Sequence, residues 1–325
     1  MKFILFYCEN RYRSSTNSKC ININRSEDVF LLSTNSSVII NLFLFFFKKK
    51  TIIFGCDGKK PKLLFKHKII NLWFNTQLEL LENNFDKNIV ENKNNLFICK
   101  NNLFKEAKNF LLTPVSKSKY FDMNKKIKII YVSEVHNNIS TEVKNFWNLN
   151  KITILGNLSL LDEEKFILKI PGNDKFQKIK NYMEIKNLLR LEIITILYNK
   201  FKDNMILVGP DWKKIGFKAI ESEHDISLKK KLYRGNICLD LGAKSGGNFL
   251  YPRSVEILEN NGYLLQIKPM DMIEDEFENY KTFTSISHLI FIIEKLLNQS
   301  GEKINCGHLN QFLNSRFNKF INELF

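Results

Sequence analysis

The sequence predicts an α/β protein of two domains, the second of them built on a doubly wound parallel sheet. Its 325 residues exceed one average domain and fall short of three. A hydrophobic content of 44% with 26% charged residues supplies packed cores and excludes general disorder. After residue 127, short apolar runs alternate with helical periodicity, and glycine-rich turns follow the runs.

The first half of the chain contains apolar, β-prone runs and few motifs. Residues 3–8 open the chain as a strand, and residues 38–47 and 51–54 follow on either side of three lysines. The run ending at Phe47 is too short to span a membrane, so it predicts a buried strand or a short core helix. Further along, residues 68–82 predict a strand followed by a helix, and residues 103–112 a short helix.

A polar stretch over residues 116–126 marks the predicted domain boundary. The predicted organisation is an N-terminal domain over 1–120, a second domain over 121–300 and a C-terminal helix over 301–325. In the second domain we expect strands near 127–132, 205–208, 237–241 and 263–267, and helices near 174–201, 253–260 and 284–298. The apolar face of residues 309–325 predicts a final helix, which we expect to cross back to the first domain; a helix lying on the second domain is the alternative.

The chain is strongly basic, with 49 Lys and Arg against 34 acidic residues and a net charge of +15. The excess is scattered lysine among many Asn and Ile residues, without an Arg-rich stripe or a nucleic-acid-binding motif, so we expect no nucleic-acid partner. The basic charge is compatible with peripheral contact with a membrane. The six cysteines and five histidines show no metal-ligand spacing, so we expect no metal, no cofactor and a cytoplasmic protein with reduced thiols.

The segment 235–271 carries the chemistry, because it predicts strand, glycine loop, helix and strand in succession. Gly246 and Gly247 let backbone N–H groups approach an anion, which the start of the following helix also favours. Lys244 and Arg253 flank that position, and Glu256 lies one turn deeper, where a carboxylate can accept hydrogen bonds from a ribose. Taken singly, the two glycines fit a tight turn, Lys244 fits an ordinary surface lysine, and Arg253 with Glu256 fits a surface ion pair. Their combination in one strand–loop–helix unit favours a nucleotide site. Neither a dinucleotide fingerprint nor a P-loop is present.

The run Leu-Tyr-Pro-Arg-Ser-Val-Glu-Ile-Leu-Glu-Asn-Asn-Gly-Tyr-Leu-Leu, residues 250–265, resembles the donor-site segment of GT-B glycosyltransferases. The likeness is greatest to the group-1-like, spore-maturation-type glycosyltransferases. Upstream, Leu-Val-Gly-Pro-Asp-Trp at 207–212 is similar to their strand that ends in Gly before an aromatic residue. The resemblance extends over residues 127–298 and implies two Rossmann-like domains facing across a cleft, with a reduced N-terminal domain.

The resemblance also implies roles for individual residues. Glu256 would hold the nucleotide ribose, and Arg253 with the loop Gly246, Gly247 and Asn248 would hold the diphosphate or the sugar. Two positions depart from the family pattern: Asn248 stands where many retaining members have Glu, and Asn-Asn-Gly at 260–262 replaces a small-residue Ala-x-Gly motif.

The implied reaction is a metal-independent glycosyl transfer, which agrees with the absence of a DxD motif. The acceptor, a glycan, lipid or protein, is undefined. An inverting reaction would need a base, for which Asp57, Glu134 and His136 are the candidates, although each residue type is more often found on a surface or in a turn. The alternative is a catalytically inactive GT-B-like binding or assembly protein that uses its basic surface on an anionic polymer.

Overall fold

The computed structural model describes residues 1–8, 29–56, 58–73, 95–97, 108–109, 119–135, 139–221, 225–242, 252–268 and 277–324. The chain forms two compact units. The first comprises Met1–Lys100, Phe104–Val115 and Asn310–Phe325, and the second consists mainly of Ser116–Leu309.

The first unit contains a six-stranded sheet whose described pairings are all parallel. Its strands are β1 (Lys2–Tyr7), β2 (Val29–Thr34), β3 (Thr51–Cys56), β4 (Ile69–Trp73), β5 (Asn95–Phe97) and β6 (Lys108–Asn109). They lie in the order β2-β1-β3-β4-β5-β6. β1 and β3 are central and almost entirely buried, as expected for parallel strands that are covered on both faces.

Helix α1 (Ser37–Phe47) connects β2 to β3. The sequence predicts either a buried strand or a short core helix for residues 38–47, and the structure has a helix there. Ser36 caps it by accepting a hydrogen bond from the Ile39 backbone N–H. Ile40 and Leu44, four residues apart and therefore on one face, are buried against the central strands of the sheet.

Two expectations for the first half can be compared with the described residues. The predicted strand after residue 68 is β4, whereas the helix expected after it lies outside the described residues. The short helix expected over 103–112 is wrong at Lys108–Asn109, which pair with Leu96–Phe97 as β6. Hydrogen bonds to a neighbouring strand therefore override the local helical spacing at these two residues.

The second unit contains another six-stranded sheet whose described pairings are all parallel. Its strands are β8 (Ile129–Val132), β9 (Met205–Val208), β10 (Ala219–Ile220), β11 (Ile237–Asp240), β12 (Tyr263–Ile267) and β13 (Tyr280–Phe283). A separate antiparallel pair joins β7 (Tyr120–Asp122) to β14 (Lys303–Asn305). The predicted α/β class and the parallel sheet of this part of the chain are confirmed.

Several helices of the second unit have polar caps that the sequence supplies. The unit contains α2 (Thr141–Gly156), α3 (Glu164–Ile167), α4 (Lys175–Phe201), α5 (Ile226–Tyr233), α6 (Pro252–Glu259) and α7 (Ile286–Leu297). Asp174 caps α4, Asp225 caps α5 and Ser285 caps α7, each by accepting a hydrogen bond from a backbone N–H three residues on. These caps fix where each helix begins on the edge of the sheet.

The strand order of the second sheet is β10-β9-β8-β11-β12-β13. The chain builds outward from β8 to β10, then returns to the other side of β8 with β11. This is the Rossmann-like order, and ligands of such sheets bind at the carboxyl ends of the strands where the order reverses. The fold thus points to the ends of β8 and β11.

The last helix, α8 (Gly307–Leu324), begins in the second unit, and its residues from Asn310 onward belong to the first. Within the first unit the Lys2 ammonium donates to the Asn322 side-chain oxygen at 3.5 Å. Among the described helices none combines the length and the apolar character needed to cross a membrane.

Candidate functional site

The candidate site lies at the carboxyl edge of the second sheet, where β8 and β11 are neighbours. Ser133 and the exposed Glu134 follow β8, and Leu241 and Gly242 follow β11. Glu134, one of the three predicted base candidates, is therefore placed at the reversal point of the strand order. The segment after Gly242 carries most of the predicted donor-binding residues.

A buried polar network fixes the end of β11 to α6. The Asp240 carboxylate accepts a hydrogen bond from the Gly242 backbone N–H at 3.0 Å and another from the Ser254 hydroxyl. The Gln266 amide donates to Ser254 Oγ at 3.5 Å, and the Tyr280 hydroxyl donates to Gln266 Oε1 at 3.0 Å. All four side chains are buried. The network thus joins three adjacent strands to the first turn of α6, so the start of α6 is held at the carboxyl edge.

Arg190 of α4, which precedes β11 in the sequence, contacts the same edge of the sheet. Arg190 is buried, with 7% of the residue exposed, and its Nη2 donates to the Gly242 carbonyl. Arg190 Nε has no hydrogen-bond partner in the part of the chain that the structure describes. Arg190 borders a cavity of about 10 Å³ that is also lined by Glu134 and Trp212. That volume is about the size of one water molecule.

The turn after β9 closes the end of β8. Gly209 has φ 137°, and a Cβ at this position would overlap the Ser133 carbonyl, so only glycine fits. Three residues later the Trp212 indole N–H donates to the Ser133 carbonyl at 2.6 Å. The indole ring packs edge-on against the ring of Tyr131. The Gly-Pro-Asp-Trp segment at 209–212 therefore packs against the end of β8, where the strand order reverses.

Glu256 and Arg253 lie on α6 and are both half-buried. Glu256 forms an ion pair with Lys229 of α5, with Oε1 and Oε2 at 3.0 and 3.2 Å from the ammonium. The charges of Glu256 and Arg253 both act on the buried Tyr233 of α5. Burial is the main cause that raises the pKa of the Tyr233 phenol, the Glu256 charge raises it further, and the Arg253 charge opposes the shift. The two predicted residues therefore share one electrostatic environment.

The helix predicted near 253–260 is followed by Gly262, which predicts a glycine end, but the structure ends α6 differently. Asn261 has φ 57°, and it is this residue that takes the left-handed conformation after the helix. Gly262 is needed for close approach instead, since a Cβ there would lie 2.7 Å from Ile257 Cγ2 and 3.0 Å from Cys238 Sγ. The glycine therefore allows α6 to pack closely against β11.

The remaining predicted residues lie outside the described residues. They are Asp57 and His136 among the base candidates, and Lys244, Gly246, Gly247 and Asn248 of the glycine loop. The structure therefore brings together Arg253 and Glu256, and places Glu134 at the neighbouring strand end. In the described ranges no group of His, Cys, Asp and Glu is arranged to hold a metal ion.

Sequence reasoning missed the residues that support the site. Asp240 is the last residue of the otherwise apolar strand β11, and a carboxylate at a strand end is a signal that the sequence offers. Arg190, Lys229 and Tyr280 gave no signal, because they lie in segments with many similar residues and reach the site only through the fold.

Chemically, the arrangement can hold an anion and a hydroxylated group side by side. The first turn of α6 presents backbone N–H groups and the partial positive charge of a helix start, with Arg253 next to them. Glu256 offers carboxylate oxygens one turn further on. No model of a known protein family matches this sequence, and comparison with curated proteins likewise finds no match.

Proposed function

We propose that this protein is a glycosyltransferase that transfers a sugar from a nucleotide-sugar donor to an acceptor without a metal ion. The observation that carries the proposal is the buried network that fixes α6 to the end of β11. It holds the helix with Arg253 and Glu256 at the edge where Rossmann-like sheets bind nucleotides. The resemblance of residues 205–271 to the GT-B donor site supports the same conclusion.

The proposed donor site follows from the chemistry of each group. The diphosphate lies against the glycine loop and the start of α6, where Lys244, Gly246, Gly247 and Asn248 precede Arg253. Negative charge that develops on the leaving nucleotide is stabilised there by the helix start and the basic side chains. Glu256 accepts hydrogen bonds from the ribose hydroxyls, and it exchanges its contact with Lys229 for them in whole or in part.

The proposed acceptor site belongs to the first unit, whose parallel sheet gives the protein a second α/β core. In the GT-B arrangement that we propose, Asp57 follows a strand of the first unit and Glu134 and His136 follow β8. One of these groups takes the acceptor proton if the reaction inverts the sugar configuration. Glu134 is supported by its place at the reversal of the strand order.

The alternative function is a catalytically inactive binding protein for an anionic polymer. A specific observation favours it: a polar groove of about 560 Å³ beside β13 and α7 is lined by four lysines. These are Lys268, Lys281, Lys295 and Lys303. The same groove also contains Glu278 and Glu302, so its charge is mixed, and we therefore place the glycosyltransferase first.

A thermal-stability screen of nucleotide-sugars and free nucleoside diphosphates tests the proposal. A ligand at 100 times its dissociation constant stabilises the folded protein by about 2.7 kcal/mol, which a melting curve resolves. We expect one nucleoside diphosphate and its sugar conjugate to stabilise the protein, and titration calorimetry to show the same base preference. Stabilisation by polyphosphate or heparin, with no effect of any nucleotide, would replace the proposal with the polymer-binding alternative.

A further inference from the structure

Helix α1 of the first unit is apolar on two opposite faces. One face is the buried one, where Ile40 and Leu44 pack on the sheet. The other face is exposed: Val38 is 77%, Leu42 58%, Phe45 68% and Phe46 65% accessible. Residues at these spacings form one continuous stripe along a helix. A helix of a folded protein normally presents polar residues there, so this stripe requires a partner.

The one strongly polar side chain within the helix is used internally. The Asn41 amide donates to the carbonyls of Ser37 and Lys62 at 2.8 Å, and its oxygen accepts from the Leu64 backbone N–H at 2.8 Å. These bonds fasten the chain segment 62–64 alongside the helix. As a result Leu64, 83% exposed, extends the exposed apolar stripe.

Lysines border this surface. Lys48, Lys49 and Lys50 are exposed at the end of the helix, and Lys62 and Lys66 are exposed on the adjoining segment. The Lys48 ammonium lies 5.8 Å from the centre of the Phe65 ring. Apart from Glu323, no acidic residue occurs in the part of this unit that the structure describes. Among the described residues the surface therefore combines exposed apolar side chains with a border of lysines.

We infer that this surface, which we call the α1 face, docks the protein on an anionic lipid surface. Eleven residues of helix extend about 16 Å, too short to span a bilayer, so the helix lies in the plane of the interface. The apolar side chains enter the region between headgroups and acyl chains, while the long lysine stems keep their charges among the anionic headgroups.

Charge complementarity favours lipid over a second copy of the chain. A symmetric dimer through the α1 face would bring two lysine borders together, which repel each other. An anionic membrane offers both an apolar layer and negative charge to the same surface. This inference does not depend on the proposed sugar transfer, because membrane binding is measured without any donor.

Co-sedimentation of the full chain with vesicles tests the inference. We expect binding to vesicles of phosphatidylcholine mixed with phosphatidylserine, weak binding to phosphatidylcholine alone, and release by high salt. The double variant Leu42→Ser/Phe45→Ser and the triple variant Lys48→Gln/Lys49→Gln/Lys50→Gln should each bind about tenfold more weakly or worse. All five positions are exposed, so both variants should fold.

Matched controls separate the α1 face from general effects. Leu149→Ser/Ile152→Ser removes two apolar side chains of α2 that are 85% and 83% exposed, and Lys125→Gln/Lys126→Gln/Lys169→Gln removes three exposed lysines of the second unit. Both controls should bind vesicles like the unchanged protein. Equal losses in controls and α1 variants would overturn the inference, as would the absence of vesicle binding. A dimer dissociated by Leu42→Ser/Phe45→Ser, without vesicle binding, would assign the face to self-association instead.

Discussion

The Ser254 hydroxyl donates a hydrogen bond to the Asp240 carboxylate, and this contact joins the first turn of α6 to the last residue of β11. Both side chains are fully buried. An unpaired carboxylate at this depth would be costly, so the contact holds the helix start in one position. The groups that we propose for nucleotide binding, Arg253 and Glu256, take their places from it.

Substitution of Ser254 by Ala should destabilise the second unit. The change removes the donor to Asp240 and the acceptor for Gln266, and we expect a loss of about 1–3 kcal/mol in the free energy of unfolding. Urea unfolding measures it. Ser227→Ala, at an exposed position in the first turn of α5, is the control and should stay within about 0.5 kcal/mol. If the two variants unfold alike, the network does not hold α6.

Removal of the two buried tyrosine hydroxyls should have opposite consequences. The Tyr280 hydroxyl donates to Gln266, so Tyr280→Phe removes one hydrogen bond to a buried amide oxygen and should cost about 1 kcal/mol at neutral pH. Within the described residues the buried Tyr233 hydroxyl has no hydrogen-bond partner, so Tyr233→Phe should be neutral or stabilising. The comparison of their urea midpoints checks the prediction, and a greater loss in Tyr233→Phe would contradict it.

The same tyrosines predict a loss of stability in alkaline solution. Burial raises the pKa of both phenols above the usual value near 10, helped by the charge of Glu256 at Tyr233 and of Asp240 at Tyr280. Above pH 10 the unfolded chain releases these protons while the folded chain keeps them. The free energy of unfolding should therefore fall with rising pH, by up to about 1.4 kcal/mol per pH unit for each phenol. In Tyr233→Phe and Tyr280→Phe this decline should be shallower; an unchanged slope would show that other groups cause it.

Two glycines with left-handed backbone conformations should respond differently to Ala. At Gly209 a Cβ would overlap the Ser133 carbonyl, and φ is 137°, so Gly209→Ala should cost more than about 3 kcal/mol. Gly216 has φ 92° with no atom within 4 Å of an added Cβ, so Gly216→Ala should cost about 1 kcal/mol from backbone strain alone. Thermal unfolding of the two variants checks the difference. Similar melting temperatures would mean that the turn after β9 can shift away from β8.

Much of the second sheet could be predicted because its strands are short, apolar and bounded by glycine or polar turns. The runs at 205–208 and 263–267 coincide with β9 and β12. Local sequence decides such elements, since a buried strand of a parallel sheet reads as a continuous apolar run. Helix α1 was ambiguous for the same reason: a run apolar on every face has no period that separates helix from strand.

The supporting residues of the site could not be predicted because their partners are distant in sequence. Arg190 meets Gly242 across 52 positions, and Lys229 meets Glu256 across 27. A single sequence gives spacing along the chain but not across a sheet. Glu259 illustrates the limit: its position three residues after Glu256 predicts a solvent-facing side chain, whereas the structure has it half-buried with a buried Oε1. It is therefore unsuitable as a control for Glu256.

The final prediction concerns Glu256→Gln, which keeps the size of the side chain and removes its charge. A charged carboxylate contributes roughly 1.5–3 kcal/mol to each hydrogen bond that it accepts, so the loss of part of two such bonds should weaken donor binding by about 10- to 100-fold. The change also breaks the ion pair with Lys229, which is partly buried, and we expect a small loss of stability. Titration calorimetry with the stabilising nucleoside diphosphate measures the affinity.

Glu294→Gln is the matched control for this experiment. Glu294 forms an ion pair with Lys200 at 2.6 Å on the surface of the same unit, so its substitution also breaks a Lys–Glu pair. The Glu294→Gln variant should bind the nucleotide with unchanged affinity, because Glu294 is not part of the proposed donor site. Lys229→Gln separates the two roles of Glu256: it breaks the same ion pair but keeps the carboxylate, and should weaken binding far less than Glu256→Gln. If Lys229→Gln and Glu256→Gln weaken binding equally, the ion pair and not a ribose contact explains the effect, and the glycosyltransferase proposal loses its ribose ligand.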